Sequence, residues 1–359
     1  METTQTNVQQ RCLPALEELL PPSFARDLYT NSVNHNTGGC DEIGFVDALT
    51  AEVAGSVGGV PRGKPGFFLR ISRERLRTYL WQYDDLPVSS GKHFTHYAQD
   101  EAGVTAFFSD GSSVHGKLLV GADGLHSHVL DQLVGKSQHK PTLSQYVPIF
   151  GEVDLPPALY KPLRALAKSA IVTAAPTVRQ QIGMLSMAED QSTASYFWAL
   201  MPRRDEPKEL SDWVQSASQS EIYDFSLEIT KDLHPTMTDL IRHGGAEAIA
   251  QPQPKFLEFV PPQTMPEGRV TVLGDAAHAM IPFRGAGANT AMLDACDLGK
   301  LLVSAWRDKE DSASVLHSYH EVMVPRGRAA VLSSRAAGEE GGEDPAKMWR
   351  KNFERPAKD

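Results

Sequence analysis

An α/β fold is what this sequence predicts, and three features predict it. At 268–290 a short apolar strand breaks into a turn rich in Gly, Pro and Asn before apolar residues return at helical spacing. A second strand-to-turn passage runs from Lys117 to Ser127. Between the two lie runs of β-branched and aromatic residues separated by turn formers. With 359 residues, 41% hydrophobic and 22% charged, the chain is long enough for two domains with a sizeable core.

In chain order, the first six residues are polar and aperiodic, and Leu13 to Leu20 is the first helical stretch. The piece Gly55-Ser56-Val57-Gly58-Gly59-Val60-Pro61 reads as a flexible loop, because no strand pattern precedes it and Pro61 interrupts a helix start. Ser72 is a good N-cap for a helix over 73–80, with Leu76 and Leu80 one turn apart on a single face. Arg73, Arg75 and Arg77 oppose that helix's dipole by roughly 0.3–1 kcal/mol per charge. An anionic partner is therefore expected at Arg73, while Arg75 and Arg77 read as a solvated face. Residues 104–109 and 114–120, joined through Asp110-Gly111, form a hairpin that feeds Gly121-Ala122-Asp123-Gly124.

Strands follow at 149–155, 170–174, 178–187, 194–201 and 256–260. In the fourth, alternation puts Tyr196, Trp198 and Leu200 on one face and Phe197 and Met201 on the other, without saying which face meets a ligand. Helices are expected at 221–227 and 236–243. The run from Val270 to Gly274 is then a buried strand that delivers the Asp275 carboxylate to its carboxyl end, the edge where open α/β sheets bind ligands. Pro282, Gly285, Gly287, Ala288 and Asn289 make the turn into a helix over 290–306, whose first N–H groups favour an anionic partner. A last helix over 313–335 leaves 336–359 as a disordered or loosely attached tail.

Gly274-Asp275-Ala276-Ala277-His278, followed by Pro282 and the turn Gly285-Ala286-Gly287-Ala288-Asn289, resembles the flavin-contacting motif of the FAD-dependent aromatic-ring hydroxylases, the single-component flavoprotein monooxygenases. Gly121-Ala122-Asp123-Gly124-Leu125-His126-Ser127 resembles their second signature. Arg73 with Leu76 and Leu80 resembles their Arg-x-x-Leu-x-x-x-Leu helix, and all three stand in the family's order. The resemblance implies FAD as cofactor, with Asp275 accepting from a ribityl hydroxyl and Gly274, Pro282, Gly285, Gly287, Ala288 and Asn289 shaping the turn beneath the isoalloxazine. It also implies that Asp123 lies by the pyrophosphate and that Arg73 meets the phosphates or ribityl chain. The segment from Tyr319 to Arg326 resembles the family's Tyr and Pro-Arg stretch, which is structural.

The fold thus implied is a truncated, doubly wound, Rossmann-like FAD-binding domain carried by 1–140 and 263–335. An inserted mixed β-sheet substrate domain fills 141–262, with a tail at 336–359. The family's opening Gly-x-Gly-x-x-Gly does not occur in this sequence. Its strand would be central to the parallel sheet and its loop would cradle the pyrophosphate, so open strand edges and reduced FAD affinity are expected.

The implied activity is that of an FAD-dependent monooxygenase using NAD(P)H and O2. Its substrate would be an electron-rich small molecule, aromatic, polyketide- or terpenoid-like, hydroxylated or epoxidised in secondary-metabolite biosynthesis. The absent loop keeps two alternatives open: a flavin-independent cyclase or isomerase on the degenerate scaffold, and a truncated inactive homologue. No acid-base catalyst is assigned. His278, in a turn of small residues, reads as a packed, hydrogen-bonded histidine.

Other classes lack their signatures. The net charge is −10 and no basic stripe occurs, which argues against a nucleic-acid partner. No apolar run approaches the ~18 residues needed to span a membrane, and the first residues lack a signal-peptide pattern, so a cytoplasmic protein is expected. Cys12, Cys40 and Cys296 form neither a disulfide framework nor a zinc spacing, and the pairs His93/His96 and His126/His128 lack further ligands, so no metal is expected. A Gly-x-Ser-x-Gly hydrolase motif is absent, and nothing signals an oligomeric state.

Overall fold

A computed structural model describes residues 5–8, 12–23, 28–34, 40–64, 66–82, 87–175, 178–311 and 313–340. The N-terminal part holds β1 (Gln5–Val8), α1 (Leu13–Leu19), β2 (Glu42–Asp47), β3 (Val53–Gly58), β4 (Leu69–Ser72) and α2 (Arg73–Trp81). Then come β5 (Phe94–Gln99), β6 (Val104–Phe108), β7 (Ser113–Gly116), β8 (Leu119–Gly121) and α3 (His128–Val134). The middle holds β9 (Thr142–Leu143), β10 (Ile149–Leu155), α4 (Pro157–Leu166), β11 (Ala170–Ala174), β12 (Val178–Met187), β13 (Ala194–Pro202), α5 (Pro207–Ser216), α6 (Gln219–Ile229) and α7 (Pro235–Gly244). The C-terminal part holds β14 (Leu257–Glu258), β15 (Val270–Val272), α8 (Asp275–His278), α9 (Gly287–Asp308) and α10 (Val315–Glu340). Among the described residues no helix is long and apolar enough to cross a membrane.

The largest sheet is mixed, in the order β10-β13-β12-β11-β2-β3, with β11 and β2 parallel and the other pairs antiparallel. One face is buried against helices. Ile149, Ile171, Ile182, Tyr196, Trp198 and Leu200 pack with Leu163 of α4, Val214 of α5, Ile222 of α6 and Met237, Leu240 and Ile241 of α7. Each large apolar side chain so buried contributes roughly 1.5–3 kcal/mol. Period-two alternation then puts Phe150, Arg179, Gly183, Phe197 and Met201 on the opposite face. Tyr196, Trp198 and Leu200 therefore face the helices α4 to α7, and Phe197 and Met201, also buried, lie on the other side of the sheet.

A second core surrounds the parallel pair β8–β15. Val270 and Val272 meet Val129 and Leu130 of α3, Leu298 of α9, and Tyr319 and Met323 of α10. At Gly121 a Cβ would lie 2.7 Å from that of Val129, so only glycine lets α3 close on the sheet. A third, smaller cluster joins Leu69 and Ile71 of β4 and Leu76 of α2 to Met292 and Leu293 of α9.

Several expectations need correcting. Residues 55–58 of the stretch 55–61 are not a loop, since Gly55, Ser56 and Val57 pair with Phe45, Gly44 and Ile43 as edge strand β3, and only 59–61 lack regular structure. An edge strand has one partner and a half-open surface, so glycine and serine suffice there and leave no apolar alternation to read. Residues 5 and 6, read as aperiodic, belong to β1, which pairs antiparallel with β4. Residues 336–340, assigned to a tail read as disordered or a loosely attached helix, are helical and continue α10 with Ala337 and Gly338 buried; residues 341–359 lie outside the described part. The strand expected at 256–260 shrinks to β14, and the one at 114–120 is broken between β7 and β8. Helices α4 and α5, which were not anticipated, each open on a proline in the first turn, where its missing N–H costs nothing.

Candidate functional site

Gly121 of β8 lies opposite Val272 of β15 in a parallel register, so the turns that follow, with Asp123 and with Gly274-Asp275, leave the same sheet edge. Gly274 has a φ of +61° and its Cβ would stand 3.0 Å from that of Ala291. Glycine is needed there for the backbone angle and for the approach of α9. Asp275 is the first residue of α8, and its side chain is exposed with no hydrogen-bonding or ionic partner among the described residues.

The turn from Pro282 to Arg284 ends on Gly285, left-handed at φ +58°, and α9 starts at Gly287 with no side-chain cap. Asn289 Nδ2 donates back to the Gly285 carbonyl at 3.0 Å and the Thr290 hydroxyl to that of Ala286 at 2.9 Å. Those bonds tighten the turn but leave the N–H groups of Gly287 and Ala288 without an acceptor among the described residues. A Cβ on Gly287 would meet only Met280, at 3.7 Å, so the helix start stands open. Twenty-two residues of α9 align their peptide dipoles behind it.

A buried network holds this corner in place. Asp294 of α9 accepts from the Gly274 N–H at 3.1 Å, pairs with His278 Nε2 at 2.5 Å and receives the Arg326 guanidinium at 2.9 Å. Arg326 also binds Asp297 at 2.6 Å. The Tyr319 hydroxyl donates to the Val272 carbonyl at 3.2 Å, and burial together with the Asp294 charge pushes its pKa far above the usual range. His278, fully buried, is a packed histidine of this network. Gly327 gives it room, since a Cβ there would touch the imidazole at 2.6 Å.

The other sequence-nominated residues arrive less directly. Asp123 is exposed, but its carboxylate accepts from the Ser127 hydroxyl at 2.5 Å and the Val129 N–H at 3.3 Å, shaping its own turn. Arg73 is the exposed first residue of α2, which Ser72 caps by accepting from the Arg75 N–H at 3.4 Å. Packing of Ile71 and Leu76 on Met292 and Leu293 ties its helix to α9. Arg77 lies on the solvated side, 5.5 Å over the Trp81 ring.

The face of the mixed sheet opposite α4 to α7 meets this corner where Arg179 lies 4.7 Å from the Phe283 ring. Arg70 is 2% exposed, with its guanidinium 5.4 Å over the Phe197 ring, and burial lowers its pKa to about 10. Phe283, in the turn before Gly285, meets Tyr146 edge-on at 4.6 Å. Asp294, Arg326, Phe283 and Tyr146 were not nominated from sequence. The only sequence signal for Asp294 is its place four residues before Leu298, which puts a carboxylate on the buried side of α9. A separate cleft of about 1200 Å³, lined by Asp100, Glu267, Arg269, Asp311 and Glu321, opens at the amino end of β15, the end opposite Asp275.

An unpartnered carboxylate beside an open helix start, on a glycine-shaped edge, accepts hydroxyl donors and welcomes negative charge within one turn of chain. Ribityl hydroxyls and the electron-accepting ring of FAD supply that combination, so these residues fit the cofactor. Strand edge, carboxylate and helix start beneath a mixed sheet define a class of flavin-binding oxidoreductase.

The comparisons agree. A family described as an FAD binding domain matches residues 256–334. The FAD-dependent monooxygenase thnD of Trichoderma harzianum is 31% identical over 281 residues, spanning 75% of this chain and 67% of that protein. The FAD-dependent monooxygenase phnB of Penicillium herquei is 26% identical over 351 residues, 90% of this chain and 77% of that protein. The chain belongs to the FAD-dependent monooxygenase family. Its fold superposes with a TM-score of 0.74 on Klebsiella pneumoniae HpxO complexed with FAD and uric acid, at 22% identity over 98% of this chain and 82% of that one. A salicylate hydroxylase substrate complex gives a TM-score of 0.72 at 21% identity, over 96% of this chain and 84% of that one.

Proposed function

We propose that this chain binds FAD at the edge formed by Asp275 and the Gly285–Asn289 turn, and inserts one oxygen atom from O2 into an electron-rich small molecule with NAD(P)H as reductant. The substrate is aromatic, polyketide- or terpenoid-like, as befits relatives among fungal monooxygenases. The observation that carries the reading is the exposed, unpartnered Asp275 carboxylate next to the uncapped start of α9. FAD, when bound, supplies the redox chemistry. The chain's own residues bind and orient it. Asp275 would accept a ribityl hydroxyl, the Gly287 and Ala288 amides would offer N–H donors to the flavin ring, and Arg73 and Asp123 would serve the phosphate end. Asp294, Arg326 and His278 keep Gly274 and α9 in register.

Phe197 and Phe283 belong to the wall above, where a flat substrate packs with water excluded. Purified protein tests this directly: with added FAD and a panel of phenolic and polyketide substrates, NAD(P)H oxidation should depend on substrate and produce a product heavier by one oxygen. Turnover of substrate by flavin-free protein, or none under any condition, would overturn it.

A further inference from the structure

Arg179 lies on the face of β12 opposite helices α4 to α7, is 3% exposed, and pairs with no carboxylate among the described residues. Its partners are the main-chain carbonyls at the end of α10: Nη1 donates to Ala337 at 3.1 Å and Nη2 to Gly338 at 2.8 Å. The Tyr146 hydroxyl donates to the same Gly338 carbonyl at 2.7 Å. Two main-chain carbonyl dipoles thus stand where a countercharge would otherwise be needed.

These groups enclose one ring. The Arg179 guanidinium is 4.7 Å from the Phe283 centroid, Tyr146 meets Phe283 edge-on at 4.6 Å, and a Cβ on Gly338 would lie 3.1 Å from the ring. Phe283 belongs to the turn Pro282–Arg284 that delivers Gly285. Sheet, turn and helix end therefore meet at a single aromatic side chain.

We propose that Arg179 and Tyr146 are positioning residues that latch the end of α10 onto Phe283 and thereby hold the Pro282–Gly285 turn in the shape that carries the flavin. Both residues act through Phe283 and the turn that carries it. The latch stands on its own geometry; its consequence for flavin rests on the reading of the turn given under Proposed function.

Hydrogen exchange on the full chain, with and without FAD, tests this in Arg179→Met, Arg179→Lys, Tyr146→Phe and Gly338→Ala. Arg179→Met should speed exchange at 334–340 and at 282–289 together and weaken FAD binding about tenfold, with Arg179→Lys restoring part of both. Tyr146→Phe should do the same to a smaller degree. Gly338→Ala removes no latch hydrogen-bonding group, favours the helix and crowds Phe283 most, at 3.1 Å, and the Tyr146 ring less, at 3.4 Å, so it remains informative where Arg179→Met fails to fold; it should speed exchange at 282–289. Faster exchange confined to 334–340, with 282–289 and FAD affinity as in the wild type, would overturn the latch. In wild-type protein that binds no FAD the exchange pattern decides alone, joint change supporting the latch and helix-only change overturning it.

Discussion

His278 Nε2 and the Asp294 carboxylate lie 2.5 Å apart with both side chains sealed from solvent. Asp294 also receives the Gly274 N–H and the Arg326 guanidinium, so one carboxylate ties a turn, a helix and the C-terminal helix together. Removing it leaves three donors facing a void. Asp294→Ala is expected to cost about 3–5 kcal/mol of stability, and Asp294→Asn, which keeps shape but loses charge, about 1.5–3 kcal/mol. Urea unfolding measures both, and a loss under about 1 kcal/mol for the alanine variant would remove the network from the account.

Asp275 presents the opposite case, a carboxylate of the same corner with no protein partner among the described residues. Asp275→Ala should leave the unfolding midpoint unchanged within about 0.5 kcal/mol while weakening FAD binding by roughly 10- to 100-fold, the loss of one hydrogen bond to a charged acceptor. Equilibrium titration of flavin fluorescence measures the affinity. A variant equally destabilised and equally able to bind FAD would reverse the roles assigned to Asp275 and Asp294.

The two faces of β13 should respond differently. Trp198 is fully buried against the helices, and Trp198→Ala should cost about 3–5 kcal/mol of stability. Phe197→Leu, on the opposite face, should cost under about 1.5 kcal/mol and instead raise the KM for substrate. Thermal unfolding and steady-state kinetics on the two variants distinguish them; a KM unchanged in Phe197→Leu would take the substrate off this face.

His320 provides a pH test. Its Nε2 shares a hydrogen bond of 2.9 Å with Thr271 Oγ1, and burial, then the neighbouring His317 charge, lowers its pKa from 6.5 to about 4. The unfolded chain therefore binds this proton at a higher pH than the folded one. Stability from this group is complete above pH 6.5, falls as the pH drops through the window down to about 4, and is level below it. Allowing for solvent screening of a partly exposed ring, the loss is ~1–2 kcal/mol, and His320→Gln should flatten it. Unfolding at about pH 7 and about pH 4.5 in both proteins measures the difference, and parallel slopes would show that His320 carries none of it.

What was legible in the sequence follows its physics. The boundaries of β10, β11 and β12 could be read because turn formers bracket segments enriched in β-branched, aromatic and methionine residues. Gly274, Asp275 and Gly285 to Asn289 could be read because a turn with two left-handed glycines between a strand and a helix permits few other residues. Edge strand β3 could not, since half-exposed glycine and serine meet its needs. Nor could Arg179 and Tyr146 be paired with Gly338, which lies 159 and 192 residues away along the chain. Contacts of that separation leave no local period. The resemblance to flavoprotein monooxygenases named the family; the buried network around Asp294 required the fold.

Titrating the purified chain with FAD, and following the flavin's visible absorption and fluorescence, tests the central claim most directly. The account predicts a saturable spectral change at one FAD per chain, weakened in Asp275→Ala. A flavin spectrum identical to that of free FAD, even at about 1 mM, where a binding energy of only ~4 kcal/mol would register, would contradict it.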